Sequence, residues 1–302
     1  MEVVDFVVVG GGPAGLSAAL VAHGNQLRTV LLERSSELGG QVRWADHPIA
    51  DFLGRPVDHG AQLAAVFAEQ AEGLGLPTRL GVEVEGVIQR PDGLFRVEYR
   101  PGGALSARAV LIASGTTARR LGLADEERFG LHDRARTLGP SLKGQPVVVI
   151  GGGDEPCETA RWLAKDGAQV TLVVRQELRA RPLLRKAMLD TPGVTVRRGA
   201  QVVALEGQGD QLQAVRLASG ERLPAVRCFA RIGVEARTPR LEPDPVREVD
   251  GRLRIDAYGR TSVPRLYAAG DLVVTGDRRY ISVATGTGAI VGRAVESDLS
   301  SG

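Results

Sequence analysis

At 302 residues the chain has room for two domains of ordinary size, and its 43% apolar and 25% charged content is that of a globular protein. A net charge of +2 argues against nucleic acid or a membrane surface as a partner, and the lack of any 18-residue apolar run argues against a spanning helix. Two cysteines, Cys157 and Cys228, cannot build a disulfide framework, and no basic leader precedes the first strand, so the expected compartment is the cytoplasm.

In chain order, the apolar, β-branched run at 2–9 reads as a buried parallel strand, 16–22 as a helix and 28–33 as a second strand. A looser stretch follows at 35–56, then an amphipathic helix at 60–74 and strands at 78–84, 95–99 and 109–113. A second strand-turn-helix-strand unit opens near 145 and runs to 174. It continues with strands at 194–196, 202–206, 214–217 and 226–232. The tail, with strands at 253–255 and near 266 and a helix from about 287, is too short for a third domain. The simplest reading inserts the second unit into the first: residues 1–116 with 238–302 form one domain and 117–237 the other. Crossings near 115–119 and 233–238 would be the hinge.

The same glycine-rich turn occurs twice, 141 residues apart. Val7-Val8-Val9-Gly10-Gly11-Gly12-Pro13-Ala14-Gly15 is echoed by Val148-Val149-Ile150-Gly151-Gly152-Gly153-Asp154-Glu155-Pro156. Each follows a strand and opens a helix, with a second strand ending 23 residues after the first glycine. That spacing predicts α/β architecture with two Rossmann-like three-layer dinucleotide-binding domains. In the first turn, Gly10 permits the bend, Gly12 lets the backbone approach a pyrophosphate at the helix N-terminus, and Gly15 lets helix pack on strand. Glu33 ends the second strand, where a carboxylate accepts hydrogen bonds from ribose hydroxyls and repels a 2′-phosphate, which points to FAD or NAD. In the second copy Pro156 replaces the third glycine, making close packing there less assured. Val174-Arg175 replaces the acid, and Arg179 and Arg181 follow, a set that favours NADPH.

With these turns the chain resembles the low-molecular-weight thioredoxin reductases and their relatives, including the second type of ferredoxin–NADP reductase, over nearly its whole length. Further signatures carry the match: Gly39-Gly40-Gln41 with Asp51-Phe52-Leu53-Gly54; Ala113-Ser114-Gly115; and Ala268-Ala269-Gly270-Asp271 with Ala284-Thr285-Gly286-Thr287-Gly288-Ala289. The resemblance implies an FAD site drawn from Gly10, Gly12, Pro13, Ala14, Gly15, Glu33, Arg34, Gly40, Gln41, Asp51, Val84, Ala113, Ser114, Gly115, Gly270, Asp271, Tyr280, Ile281, Gly288 and Ala289. Gln41 and Asp51 would lie near the flavin and Asp271 on the ribityl chain. A last helix starting near Gly288-Ala289 would aim its N-terminus at the flavin N1/O2 edge. The NADPH site would comprise Gly151, Gly153, Asp154, Glu155, Arg175, Arg179 and Arg181. The family habit is a homodimer.

The departures set the function. Thioredoxin reductases carry a Cys-x-x-Cys between the domain-exit turn and the second glycine turn; the corresponding segment here is Arg134-Ala135-Arg136-Thr137. Without a dithiol beside the flavin the usual disulfide exchange is unavailable. Cys157 stands at a helix N-terminus, which can lower a thiol pKa, but it and Cys228, in an apolar strand, read as buried small hydrophobes. Tyr280 stands where the family places a glutamine, and Trp44 and Tyr280 are candidates to cover the isoalloxazine. The four histidines give no pair at metal-ligand spacing, so no metal is expected. The expected activity is an FAD-dependent NADPH oxidoreductase that passes electrons directly to a small redox protein (ferredoxin or flavodoxin) or a soluble ferric chelate, with Arg134 and Arg136 on the acceptor side. Two alternatives stand beside it: reduction of a small-molecule disulfide, and a non-enzymatic FAD protein that has lost nicotinamide binding.

Overall fold

The computed structural model describes residues 3–45, 48–49, 51–54, 56–133 and 135–300, without the side chains of Arg136 and Asp277. The chain divides into two compact units, Met1–Thr117 with Glu235–Gly302, and Ala118–Val234.

The first unit opens with β1 (Val3–Val9), α1 (Pro13–Gly24) and β2 (Thr29–Glu33). α2 (Gly60–Gly73), β3 (Thr78–Leu80), β4 (Glu83–Gln89), β5 (Phe95–Arg100), β6 (Gly103–Ile112) and β7 (Thr116–Ala118) follow. The 78–84 run expected as one strand is two, because Gly81 turns the chain at φ +68° and sends β3 to β2 but β4 to β5.

The second unit holds α3 (Ala135–Leu138), β8 (Pro146–Ile150), α4 (Asp154–Lys165), β9 (Gln169–Val174), α5 (Pro182–Leu189) and β10 (Val194–Arg198). It continues through β11 (Val202–Gln208), β12 (Gln211–Leu217), β13 (Arg222–Pro224) and β14 (Arg227–Ala230). β15 (Val234–Ala236) pairs with β7, and β16 (Arg240–Glu242), β17 (Leu266–Ala268) and α6 (Ile281–Ser300) complete the first unit. Leu253 makes only an isolated bridge to Arg247 where a strand at 253–255 was expected. α6 begins at Ile281, six residues before the expected start.

In the first unit β1 lies between β2 and β6, parallel to both. β6 shares its other edge: its first half pairs antiparallel with β5 and its last three residues pair parallel with β17. Alternation along β1 makes two cores. Phe6 and Val8 pack with α1 and α6, whereas Val7 and Val9 pack with Phe95, Val97 and Leu241 from the other layer. The second unit repeats the scheme in the order β10-β9-β8-β14, all parallel. Val147 and Val149 face α4 and α5, while Val148 and Ile150 face the antiparallel β11-β12-β13 sheet. These are two Rossmann-like three-layer α/β units, the second inserted into the first.

Each parallel sheet has one point where the chain leaves the central strand in opposite directions: between β1 and β6, and between β8 and β14. The carboxyl ends of strands at such a point frame the ligand crevice of an open α/β sheet. Both glycine turns sit there.

Candidate dinucleotide sites

A cavity of about 710 Å³ opens over the carboxyl ends of β1 and β6, a size suited to a large organic ligand. Gly10, Gly12, Pro13, Ala14, Glu33, Arg34, Gly40, Gln41, Asp51, Val84, Ala113, Ser114, Gly115, Gly270, Asp271, Tyr280 and Ile281 all line it. At Gly10 the backbone takes φ +111°, and a Cβ there would lie 2.8 Å from the Ala113 carbonyl carbon, so only glycine fits between the two strand ends. Over Gly12 the space is open: a Cβ would meet nothing nearer than Gly40 Cα at 4.0 Å. Gly12 is the extended N-cap of α1 and brings no side-chain cap, leaving the first-turn N–H groups facing the cavity edge.

Glu33 is buried, and each carboxylate oxygen takes a backbone donor: Gly11 N–H to Oε2 at 2.6 Å and Ser35 N–H to Oε1 at 2.7 Å. The carboxylate thereby pins the glycine turn from the end of the neighbouring strand and keeps lone pairs for a ligand. At the other end, Gln41 Nε2 donates to the Thr116 carbonyl (3.1 Å) and hydroxyl (3.2 Å). Ser114 Oγ donates to the Arg237 carbonyl, and Arg237 pairs with Glu83 at 2.6 Å. Asp271 stands in a one-turn helix after β17; burial pushes its carboxyl up, opposed by the charge of Arg279. The Nε of Arg279 is buried in the cavity wall with no hydrogen-bond partner among the described residues. A buried guanidinium N–H without a partner, helix N–H groups at the cavity edge and a ready carboxylate fit a dinucleotide with an anionic centre and a ribose at one end. Thr116, Glu83, Arg237 and Arg279 were not singled out from sequence, because no local pattern marks them.

Gly15, Gly288 and Ala289 do not line the cavity. A Cβ on Gly15 would lie 3.1 Å from the Gly10 carbonyl carbon, so it serves the turn's packing. Gly288 and Ala289 lie within α6, past its second turn, and Gly288 packs against the backbone of Ala14. The helix end at the cavity is Ile281, not the 288–289 pair.

In the second unit Gly151 takes φ +137° beside the Arg231 carbonyl, and a Cβ on Gly153 would meet nothing within 4 Å. Pro156 is buried with its ring against the Gly151 turn, so helix and turn remain closely packed despite the missing glycine. Both acids of the first turn of α4 are paired. Asp154 accepts from the Arg181 backbone (2.8 Å) and guanidinium (2.5 Å), and Glu155 lies 3.3 Å from Arg231 Nε. Arg179 N–H donates to the Gly152 carbonyl at 2.7 Å, drawing the arginine-bearing loop across the turn. Arg175 and Arg179 are exposed, and their side chains make no ion pair among the described residues.

The family model described as pyridine nucleotide-disulphide oxidoreductase matches residues 4–288. The chain belongs to that family. It is 32% identical to the NADH dehydrogenase of Bacillus subtilis over 95% of its own length, and spans 57% of that protein. It is 31% identical to the thioredoxin reductase of Treponema pallidum, covering 97% of this chain and 96% of that one. The solved thioredoxin reductase of Lactococcus lactis superposes with a TM-score of 0.86 at 26% identity, over 99% of each chain. The chain thus spans just over half the length of some curated relatives and nearly all of others. FAD and NADPH are the cofactors of this family.

Family membership makes the thiols worth placing. Cys157 is buried in the core of the second unit, and burial with the charges of Asp154 and Glu158 pushes its thiol up to about 11. The helix N-terminus does not activate it: the side chain is the buried small hydrophobe expected. Cys228 is buried in β14 and also pushed up by burial. Trp44 and Tyr280 are half-exposed at the cavity. Arg134 and the Arg136 side chain lie outside the described residues. Among the described residues no helix is long and apolar enough to cross a membrane.

Proposed function

We propose that the cavity of the first unit holds FAD and the second glycine turn holds NADPH, and that the reduced protein passes electrons directly to an acceptor without a redox disulfide. The observation that carries this reading is the pairing of two glycine turns at two switch points with a chain that has no Cys-x-x-Cys and buries both thiols. FAD, when bound, supplies the hydride acceptor and the electron store. The residues do the rest. Gly10, Gly12 and the first turn of α1 hold the pyrophosphate, and Glu33 the adenosine ribose. Gln41, Asp51, Asp271, Tyr280 and the Ile281 end of α6 surround the flavin end. Arg279 supplies an unspent donor to the same cavity. Gly151, Gly153 and the first turn of α4 receive the nucleotide pyrophosphate, with Arg175 and Arg179 on the 2′-phosphate.

The acceptor proposed is an anionic one, a small redox protein or a ferric chelate, met by Arg134 and Arg136 where relatives carry cysteines. Anaerobic stopped-flow mixing with NADPH and then NADH, followed at about 450 nm, tests the first step. Rapid bleaching is expected with NADPH; no bleaching with either nucleotide overturns the reading. Neutralising Arg134 and Arg136 together should slow turnover with an anionic acceptor and leave bleaching by NADPH unchanged. Disulfide reduction through Cys157 is disfavoured by its burial and raised pKa.

A further inference from the structure

Arg231 is the first residue after β14, so it stands directly across the switch point from Gly151, the first residue after β8. Its side chain is only 11% exposed, and three main-chain carbonyls fix its position. Nη2 donates to Asp133 O at 2.5 Å, and Nη1 to Ala230 O at 2.9 Å and Leu131 O at 3.5 Å. The Phe229 ring lies 5.6 Å from its guanidinium carbon. Its one carboxylate partner within 4 Å among the described residues is Glu155, whose side chain is 63% exposed. A fixed cation therefore faces a movable acid on the second residue of α4, where relatives of this fold receive a pyrophosphate on free N–H groups. An acid in that place repels the incoming phosphates and occupies the cation that would otherwise meet them.

We propose that Glu155 is a competing anion that latches Arg231, and that nucleotide binding displaces it so that Arg231 pairs with the nucleotide pyrophosphate. This rests on the reading of Ala118–Val234 as the nicotinamide-nucleotide unit. The bound phosphates replace one carboxylate by a stronger, doubly charged partner on a cation that does not have to move. Glu155 swings into solvent, where its charge is hydrated. The consequence is a tuned affinity: the latch weakens binding of any dinucleotide equally, whatever the 2′ substituent, while Arg175 and Arg179 decide between NADP⁺ and NAD⁺.

The test is isothermal titration of the FAD-loaded full chain with NADP⁺ and, separately, NAD⁺, for wild type, Glu155→Gln, Arg231→Met and the double variant. Glu155→Gln alters an exposed side chain and should bind both nucleotides on the order of five- to tenfold more tightly. Arg231→Met should weaken both by roughly tenfold or more, and in its background the gain from Glu155→Gln should largely vanish. Arg231→Lys keeps the charge and should recover part of the loss if the Met variant packs poorly. A gain from Glu155→Gln of the same size with or without Arg231 would reduce the acid to general repulsion and overturn the latch. So would a gain seen with NADP⁺ alone, which would put the pair on the 2′-phosphate. Wild type and variants binding with equal affinity would sink the latch and spare the nucleotide reading. Failure of every form to bind either nucleotide would overturn both.

Discussion

Replacing Gly288 with alanine should cost the first unit about 2 kcal/mol, whereas the same substitution two residues earlier, at Gly286, should stabilise it. Both glycines lie inside α6. A Cβ on Gly288 would sit 2.9 Å from the Ala14 carbonyl carbon and 3.0 Å from its Cα, and nearer still to the carbonyl oxygen. One turn on, a Cβ on Gly292 would lie 2.8 Å from the Ala18 carbonyl oxygen. These are main-chain atoms of α1 that no rotamer change can clear, so α6 must move away from α1. Extra methylene volume in a packed core costs roughly 1–3 kcal/mol, and a main-chain obstacle belongs at the upper end. Alanine returns up to about 1 kcal/mol through helix propensity, leaving the net loss near 2. Gly286 is exposed, with nothing within 4 Å of its would-be Cβ, so it collects only the propensity gain. The two variants should therefore differ by about 3 kcal/mol. Hydrogen exchange of α1 and α6 amides across a urea series reads the opening of these helices without depending on the second unit. Equal protection in the two variants, to within about 0.5 kcal/mol, would refute the close approach of α1 and α6.

Glu33→Gln presents an amide donor to one of two N–H groups that now meet carboxylate oxygens, a loss of roughly 1–3 kcal/mol in the turn; the variant should lose FAD on dialysis, and full retention by the ratio of 450 to 280 nm absorbance would refute the role given to the carboxylate. Cys157 should alkylate slowly with iodoacetamide at pH 8, because its thiol is pushed up from 9.0 to about 11. The folded state holds that proton more tightly than the unfolded chain, so the stabilisation is complete below pH 9 and is lost as pH rises from 9 toward 11; a pH 8 rate equal to that of a free cysteine would contradict it. Arg175→Gln should weaken NADP⁺ binding by about tenfold and leave NAD⁺ within about twofold, and titration of both separates a 2′-phosphate contact from general unfolding.

The fold was legible where local pattern and tertiary role coincide. β1 and β8 are buried on both faces, so each reads as an unbroken apolar run, and the glycine turns read because backbone geometry admits no other residue at Gly10 or Gly151. α6 was misplaced for a physical reason. Its first eight residues include Ser282, Val283, Thr285, Gly286 and Gly288, all poor helix formers. Thr285 donates back to Ser282 O and Thr287 to Val283 O and Ala284 O, bonds that compete with the helix in isolation. Packing against α1, with glycines at the points where the helices meet, overrides that preference, and no window of sequence contains it.

The site divides in the same way. Residues that must be glycine, and the carboxylate that closes the next strand, announce themselves by spacing. The groups that meet them do not, because they arrive from distant strands: Arg231 from the far side of a switch point, Arg237 from β15, which pairs with β7. Arg237 follows β15, and its carbonyl receives Ser114 Oγ; Arg231 follows β14 and faces Gly151. Each lies 80 residues or more from the turn it serves. Parallel pairing brings Arg231 there, since Ala230 pairs with Ile150 and the two strands end level. The consequence for function is specific. On the proposed reading, the glycine turns let a dinucleotide approach the backbone, while the residue that ends the neighbouring strand sets the charge it meets. A chain that keeps both turns would then change its nucleotide affinity by altering one residue after β14 and its partner on α4.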